Sequence, residues 1–146
     1  MLHDFEPHRV RAIVLARDYR AVVHSKMKRG QSLRVAALGW KRKLQEIQTL
    51  TRGLPVNIVH RVKYESFCGN PLLELQRLCD FLGTEFSEKM LTRPRMDVHH
   101  IGGSPSKFDA SLTSITMDRS HEDRFETAEL DQLSRLVGKT ARDWGY

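Results

Sequence analysis

The sequence predicts an α/β fold that is rich in helices and has few strands, which lie parallel. Two short apolar runs, at residues 10–16 and 56–62, are typical of buried strands. Helical patterns separate the two runs and follow the second, an order in which neighbouring strands run in the same direction. At 146 residues with 40% apolar content, the chain is long enough for one modest core. Because two strands alone make a poor sheet, the predicted architecture looks incomplete.

The first strand and the first helix are predicted to adjoin at Arg17. Residues 10–16 (VRAIVLA) lack polar alternation, which favours a strand buried on both faces. Asp18 is placed to cap a helix that continues to about Lys28, and Gly30 ends it.

The second helix is predicted from residue 32 to residue 50, with Gly53 and Pro55 closing it. Residues 41–43 (KRK) lie on its outer face, where a solvated surface explains them better than a binding patch. The apolar positions at helical spacing are Leu33, Ala37, Trp40, Leu44, Ile47 and Leu50.

The remaining elements follow the strand predicted at residues 56–62, which is entered from a proline turn and ends at residues 63–65. Asn70 and Pro71 predict the start of a third helix that ends at Gly83, with Leu72, Leu75, Cys79 and Leu82 as its apolar stripe. Residues 92–114 have loop composition, and loops of this length tend to be functional. Thr127 is predicted to cap a last helix whose apolar face carries Leu130, Leu133, Val137, Ala141 and Trp144.

The charge is unevenly distributed. Residues 1–65 hold 14 Lys and Arg against 5 Asp and Glu, a net +9, and residues 66–146 hold 10 against 13, a net −3. A basic half favours an anionic partner such as a nucleotide, a nucleic acid or an acidic glycan. A solvated basic face is the alternative.

Cysteine content and targeting signals leave the compartment open. Cys68 and Cys79 are too few for a disulfide framework and form no metal-binding pattern, so small buried apolar residues are the simpler interpretation. We find neither a membrane-spanning run nor a signal peptide in the sequence. A cytoplasmic protein and a Golgi-lumen protein with an N-terminal anchor both stay open, as does the oligomeric state.

Arg17 and Ser25 form the first candidate binding motif. Arg17 ends the first strand and Ser25 follows eight positions later on the helix, so the two can meet around one anion at the carboxyl end of the sheet. In the alternative reading, Arg17 pairs with a surface aspartate and Ser25 is an ordinary helix residue.

Residues 14–25 (VLARDYRAVVHS) resemble the 3'-phosphate-binding motif of sulfotransferases that use 3'-phosphoadenosine 5'-phosphosulfate (PAPS). In that family a strand-end arginine and a serine eight residues later hold the 3'-phosphate, which implies these roles for Arg17 and Ser25. Tyr19 stands where the family often has proline, and proline there only preorganises the helix.

Two further segments carry the resemblance. Residues 60–65 (HRVKYE), then Asn70-Pro71 and residues 81–83 (FLG), are similar to the family's Tyr-Glu-Asp, Asn-Pro and Phe-Leu-Gly stretch, which implies that Tyr64 lies near the adenine. Residues 99–108 (HHIGGSPSKF) resemble the glycine-bearing basic loop that closes over the nucleotide. Gly103 would let backbone N–H groups approach a phosphate, and Lys107 would add a cation.

The resemblance implies a partial P-loop nucleotide-kinase-like, three-layer fold, with residues 1–146 as the C-terminal portion of a single sulfotransferase domain. PAPS would be the co-substrate and no metal is expected, although His99 and His100 are adjacent and His121 follows. The acceptor would be a hydroxyl or amine, with a carbohydrate mildly preferred, and no nucleic acid is expected as a partner. The segment from Ile115 to His121 resembles a family Asp-x-x-Trp segment and is assigned to packing.

The sequence contains no GxxxxGK[ST] loop, so no catalytic residue is predicted. We therefore expect that the chain by itself does not turn over. The alternative is a non-catalytic module that binds a polyanion, either nucleic acid or a sulfated glycan.

Overall fold

Two strands and five α-helices are found in residues 10–92 and 115–146, the part of the chain that the computed structural model describes. Their bounds are β1 Ala12–Ala16, α1 Tyr19–Met27, α2 Leu33–Thr51, β2 Val59–Lys63, α3 Tyr64–Gly69, α4 Pro71–Leu82 and α5 Thr127–Asp143. Short 3₁₀ turns occur at Val56–Ile58 and Glu88–Leu91. Among the helices in these residues, we find none that is both long and apolar enough to cross a membrane. The predicted loop at residues 92–114 lies outside the described residues except for Thr92.

The strands pair in parallel, from Ala12 beside Val59 to Ala16 beside Lys63, which confirms the predicted strand direction. Only one face of β1 is well covered by the described residues. Val14 is buried, whereas Ile13 is 47% exposed. The prediction of a strand buried on both faces was therefore wrong for the described part of the chain. An apolar run shows that both faces tolerate burial, and tertiary contacts decide whether each face is covered.

The second strand begins three residues later than predicted. Residues 56–58 form a 3₁₀ turn, closed by a hydrogen bond from the Ile58 N–H to the Pro55 carbonyl. Val56 is 91% exposed. Proline favours turns, and here the turn continues past it before the chain becomes extended.

The chain divides into two compact units, residues 1–65 with 118–146 and residues 66–117. In the first unit α2 packs against α1 and α5. Its most deeply buried side chains come from all three helices and are Val23, Ala36, Ala37, Leu133 and Val137. The predicted helices α1 and α2 are confirmed, and Asp18 and Ser32 cap them through their side chains.

The start of α5 corrects one predicted cap. The helix begins at Thr127, but the capping residue is Glu126, one position earlier. Glu126 and Glu129 form a capping box, in which each side chain accepts from the backbone N–H of the other residue. This reciprocal pair satisfies two N–H groups at the helix start, whereas a Thr127 cap would satisfy one.

The second unit contains α4, which has the predicted start and end. The Asn70 side chain accepts from the Leu73 N–H at 3.2 Å, and Gly83 adopts the left-handed conformation that ends the helix. The predicted apolar stripe was only partly right, because Leu72 and Leu82 are each 43% exposed while Glu74 and Cys79 are buried. An ion pair between Glu74 and Arg77, at 2.8 Å, accompanies the buried carboxylate.

Candidate functional site

Arg17 stands at the carboxyl end of β1, immediately before the Asp18 cap of α1. Its side chain is 26% exposed. The guanidinium lies over the ring of Tyr64, with 4.2 Å from its central carbon to the ring centroid. Tyr64 directly follows β2, so the ends of the two parallel strands bring these residues together. A cation over an aromatic face is attracted by the ring, which holds the guanidinium in place.

One nitrogen of Arg17 is already engaged by an anionic residue. Its Nη2 donates to the Asp118 carbonyl at 3.0 Å and to the Asp118 carboxylate at 3.1 Å. The Asp118 N–H in turn donates to the Tyr64 hydroxyl at 3.1 Å. Arg17 Nε is buried and has no hydrogen-bond partner among residues 10–92 and 115–146. The guanidinium therefore keeps donor capacity that these residues do not use.

Asp118 is strongly held as an anion. Hydrogen bonds from Ser120, and then Arg17, keep the pKa of Asp118 well below its usual range. The Ser120 N–H lies 2.9 Å from the carboxylate. Asp118 thus adds a negative charge beside Arg17, in the position that an anionic ligand group would favour.

The Arg17–Asp18 peptide is held by side chains from two other elements. Trp40 of α2 donates its indole N–H to the Arg17 carbonyl at 3.0 Å. The Asp18 N–H donates to the Glu65 carboxylate at 2.9 Å. Trp40 is 4% exposed and Asp18 is 7% exposed, so this arrangement lies at the edge of the core of the first unit.

Arg20 differs from Arg17 although it lies only three positions later. Its guanidinium makes three hydrogen bonds of 2.6–3.1 Å with the Asp18 carboxylate. Burial would raise the pKa of Asp18, but the hydrogen bonds and charge of Arg20 outweigh burial and lower it. Asp18 and Arg20 thus neutralise each other at the helix start.

Ser25 lies on α1 and is half-buried. It is seven residues beyond the Asp18 cap, about 10 Å along the helix, and does not hydrogen-bond Arg17. Beside it in sequence, His24 has a lowered pKa, first through burial and then through the charges of Lys28 and Arg124. The negative charge of Asp118 opposes this shift.

The structure does not describe the other predicted ligand residues or the adjacent histidines. Gly103 and Lys107 lie outside the described residues, as do His99 and His100. Within residues 10–92 and 115–146, no group of three or more His, Cys, Asp or Glu side chains is arranged to hold a metal ion.

Three residues around Arg17 were missed or assigned differently from sequence. Asp118 was assigned to packing, Trp40 was counted only as an apolar core residue, and Glu65 was quoted only within a motif. A salt bridge from Arg17 to an aspartate was the stated alternative for this arginine, and the structure contains such a bridge. Its partner lies 101 residues away, so sequence spacing carried no signal for it.

Comparison with known proteins identifies the family of the chain. The sequence model of the sulfotransferase family matches residues 9–88, more than half of the chain. The chain therefore belongs to the sulfotransferase family. No curated protein matches it significantly.

Two solved structures share the fold. The sulfotransferase domain from the curacin biosynthetic pathway is 25% identical, with a TM-score of 0.57, over 88% of this chain and 53% of that domain. The sulfotransferase domain from the Synechococcus PCC 7002 olefin synthase is 23% identical, with a TM-score of 0.65, over 88% of this chain and 49% of that domain. The chain thus spans about half the length of each. These similarities support the predicted partial α/β fold of the nucleotide-kinase type.

Proposed function

We propose that this chain forms the C-terminal, nucleotide-binding portion of a sulfotransferase that uses PAPS, and that Arg17 is its principal ligand for the 3'-phosphate. The family membership of residues 9–88 supports the class of reaction. The use of PAPS and the part played by each residue belong to the proposal.

The observation that carries the proposal is the state of the Arg17 guanidinium. It lies at the carboxyl end of a parallel strand, is stacked on Tyr64 at 4.2 Å, and has its Nε without a partner among the described residues. Ligands of open α/β sheets bind at such strand ends. An arginine with unused donors can take a phosphate through two parallel hydrogen bonds.

The contact between Asp118 and Arg17 supports a phosphate ligand at this position. A carboxylate and a phosphate both offer oxygens to the same guanidinium donors, and the Asp118 carboxylate lies 3.1 Å from Nη2. Asp118 is 53% exposed, so it can withdraw toward solvent when a ligand enters. In our proposal the 3'-phosphate replaces or joins Asp118 at Arg17.

The other proposed ligand residues would each contact a different part of the nucleotide or contact it in a different way. Ser25 would add a hydroxyl donor to the phosphate from the second turn of α1, and the Tyr64 ring would lie beside the adenine. Gly103 and Lys107 would close over the nucleotide. Gly103 would let backbone N–H groups approach a phosphate, and Lys107 would add a positive charge.

The reaction of the whole enzyme would be transfer of a sulfuryl group from PAPS to an acceptor hydroxyl or amine, with a carbohydrate as one candidate. The sequence contains no GxxxxGK[ST] loop to hold the 5'-phosphosulfate. We expect no turnover by the 146-residue chain alone. Sulfation of a phenol or glycan by the purified chain would contradict this expectation.

Isothermal titration calorimetry with adenosine 3',5'-bisphosphate tests the binding proposal. Arg17→Ala should weaken binding about 10- to 100-fold, because a hydrogen bond to a charged group is lost. Arg20→Ala is the matched control, since it removes the same charge three residues away and should change affinity less than about threefold.

The same titration separates the alternative function. Equal losses in the two variants, with binding that falls steeply as salt rises and extends to any polyanion, would favour a non-catalytic polyanion-binding module. Circular dichroism of both variants verifies that the helices persist.

A further inference from the structure

The Arg17–Asp18 peptide lies between β1, which ends at Ala16, and α1, which begins at Tyr19. The carbonyl and the N–H of this peptide form no hydrogen bond within either element. The Arg17 carbonyl accepts from the Trp40 indole at 3.0 Å, and the Asp18 N–H donates to Glu65 at 2.9 Å. Buried backbone groups need partners, and here both partners are side chains.

These two hydrogen bonds act on one rigid unit. The carbonyl of Arg17 and the N–H of Asp18 belong to the same planar peptide and point in opposite directions. Bonds at both edges, one from α2 and one from the residue two positions after β2 ends, fix the plane against rotation. Because β1 pairs with β2 as far as Ala16 beside Lys63, the backbone is held on both sides of Arg17, and this restricts the direction in which its side chain leaves.

The groups that hold this peptide are themselves confined. Trp40 is 4% exposed and contacts Tyr19 and Tyr146 edge-on, with ring centroids 5.7 Å and 6.3 Å away. Glu65 Oε2 and the Tyr146 hydroxyl are both buried. Burial, and then the charge of Glu65, raise the pKa of Tyr146. The Glu65 carboxylate therefore has little room to adopt another position.

Tyr64 and Glu65 act on the same arginine from consecutive positions. Tyr64 lies against the Arg17 guanidinium at 4.2 Å, and Glu65 holds the peptide that follows Arg17. The two residues that follow β2 thus restrain both the guanidinium of Arg17 and the backbone next to it.

We propose that Trp40 and Glu65 are positioning residues of the nucleotide site, which hold the Arg17–Asp18 peptide so that Arg17 meets the 3'-phosphate in binding geometry. This inference rests on the proposed function, and it assigns roles to two residues that do not touch the ligand. Displacements of about 1 Å at such sites have large effects on recognition.

The test compares two nucleotides by calorimetry on the full 146-residue chain. Adenosine 3',5'-bisphosphate carries the 3'-phosphate and adenosine 5'-monophosphate lacks it, so the ratio of their dissociation constants reports on the contacts to the 3'-phosphate, of which Arg17 makes the principal one in our proposal. Glu65→Leu and Trp40→Phe should each lower the preference for the bisphosphate about tenfold, comparable to one lost hydrogen bond. Affinity for the monophosphate should stay within about twofold.

Two controls distinguish positioning from general stability. Glu65→Gln keeps an acceptor oxygen and should retain the preference within about threefold, which a role for the negative charge alone would not allow. In an Arg17→Ala background, Glu65→Leu should change the ratio no further, because the two residues act through one contact. Trp40→Phe keeps an aromatic ring in the core and carries the test if Glu65→Leu does not fold.

The outcomes separate the two proposals. A wild-type chain that does not prefer the bisphosphate refutes the proposed 3'-phosphate site, and the positioning roles with it. A preference that depends on Arg17 but is unchanged in Glu65→Leu and Trp40→Phe refutes the positioning roles alone. Equal weakening of both nucleotides also refutes them, because it indicates a general structural defect.

Discussion

Helices α2 and α4 begin with the same capping chemistry and end in very different surroundings. Ser32 and Asn70 each accept a backbone N–H from three residues onward. Yet α2 buries Ala36, Ala37, Trp40 and Leu44, whereas α4 buries only Glu74 and Cys79. The difference shows that local sequence is enough to start a helix, while burial of its apolar face depends on what packs against it.

The residues of the proposed site, Arg17, Ser25 and Tyr64, lie in the unit that contains α2, where the surrounding core can hold a side chain in one geometry. Such support is what a binding site needs from its second layer of residues.

The largest expected effect is in the core beside α2. Leu133→Ala should destabilise the chain by about 2–5 kcal/mol, because Leu133 is 0% exposed and its removal leaves a cavity. Leu72→Ala on α4 should cost only about 1 kcal/mol, because the side chain is already 43% exposed. Urea unfolding measures both values. Equal costs would show that Leu72 is packed more tightly than its 43% exposure indicates.

Replacing glycine by alanine should change stability in opposite directions at a helix end with positive φ and inside a helix. Gly83 has φ +71 at the end of α4, so Gly83→Ala should destabilise by about 1–2 kcal/mol. Gly138 lies inside α5, where an added Cβ would meet its nearest neighbours at 3.4 Å and 3.5 Å. Gly138→Ala should therefore stabilise by about 0.5–1 kcal/mol. Thermal unfolding gives both signs, and a loss of stability in Gly138→Ala would mean that α5 is more tightly packed there than these distances indicate.

Loss of a cap should act locally in α4. Asn70→Ala should cost about 1 kcal/mol, while Asn70→Ser should retain most of the stability because serine caps as well. Amide hydrogen exchange should speed up in the first turn of α4 and remain slow in α2 and α5. Uniformly faster exchange across all three helices would contradict a local effect.

The smallest effect concerns Asp118, where the chain re-enters the first unit. Because its folded pKa is lowered, its ionised form contributes stability above the unfolded value of about 4, and this contribution is lost as the pH falls through the folded value. Asp118→Asn should therefore cost less than about 1 kcal/mol at pH 7, as expected for an exposed pair, and less still at pH 3. Urea midpoints at the two pH values test this, with Asp143→Asn as a control for another exposed pair. A cost that grows on acidification would contradict the sign.

Several features were predictable from sequence because they depend on near neighbours. The caps at Asp18, Ser32 and Asn70 and the terminating Gly83 need only a few residues of context. Two boundaries were predicted less well. Pro55 correctly predicted a turn but not its length, and Glu126 was missed because threonine is among the favoured capping residues and glutamate is not. The resemblance singled out Arg17 and Tyr64, and the fold places the central guanidinium carbon of Arg17 4.2 Å from the centroid of the Tyr64 ring.

By itself, the sequence determined the parallel α/β order, the starts and ends of three helices, and the strand-end position of Arg17. Only the tertiary structure decided that Asp118 pairs with Arg17 across 101 residues, and that Trp40 and Glu65 hold the peptide after it. The physical reason is range. Capping and periodicity are set within a few residues, whereas the partners of a strand-end arginine are chosen by the packing of segments that are distant in sequence.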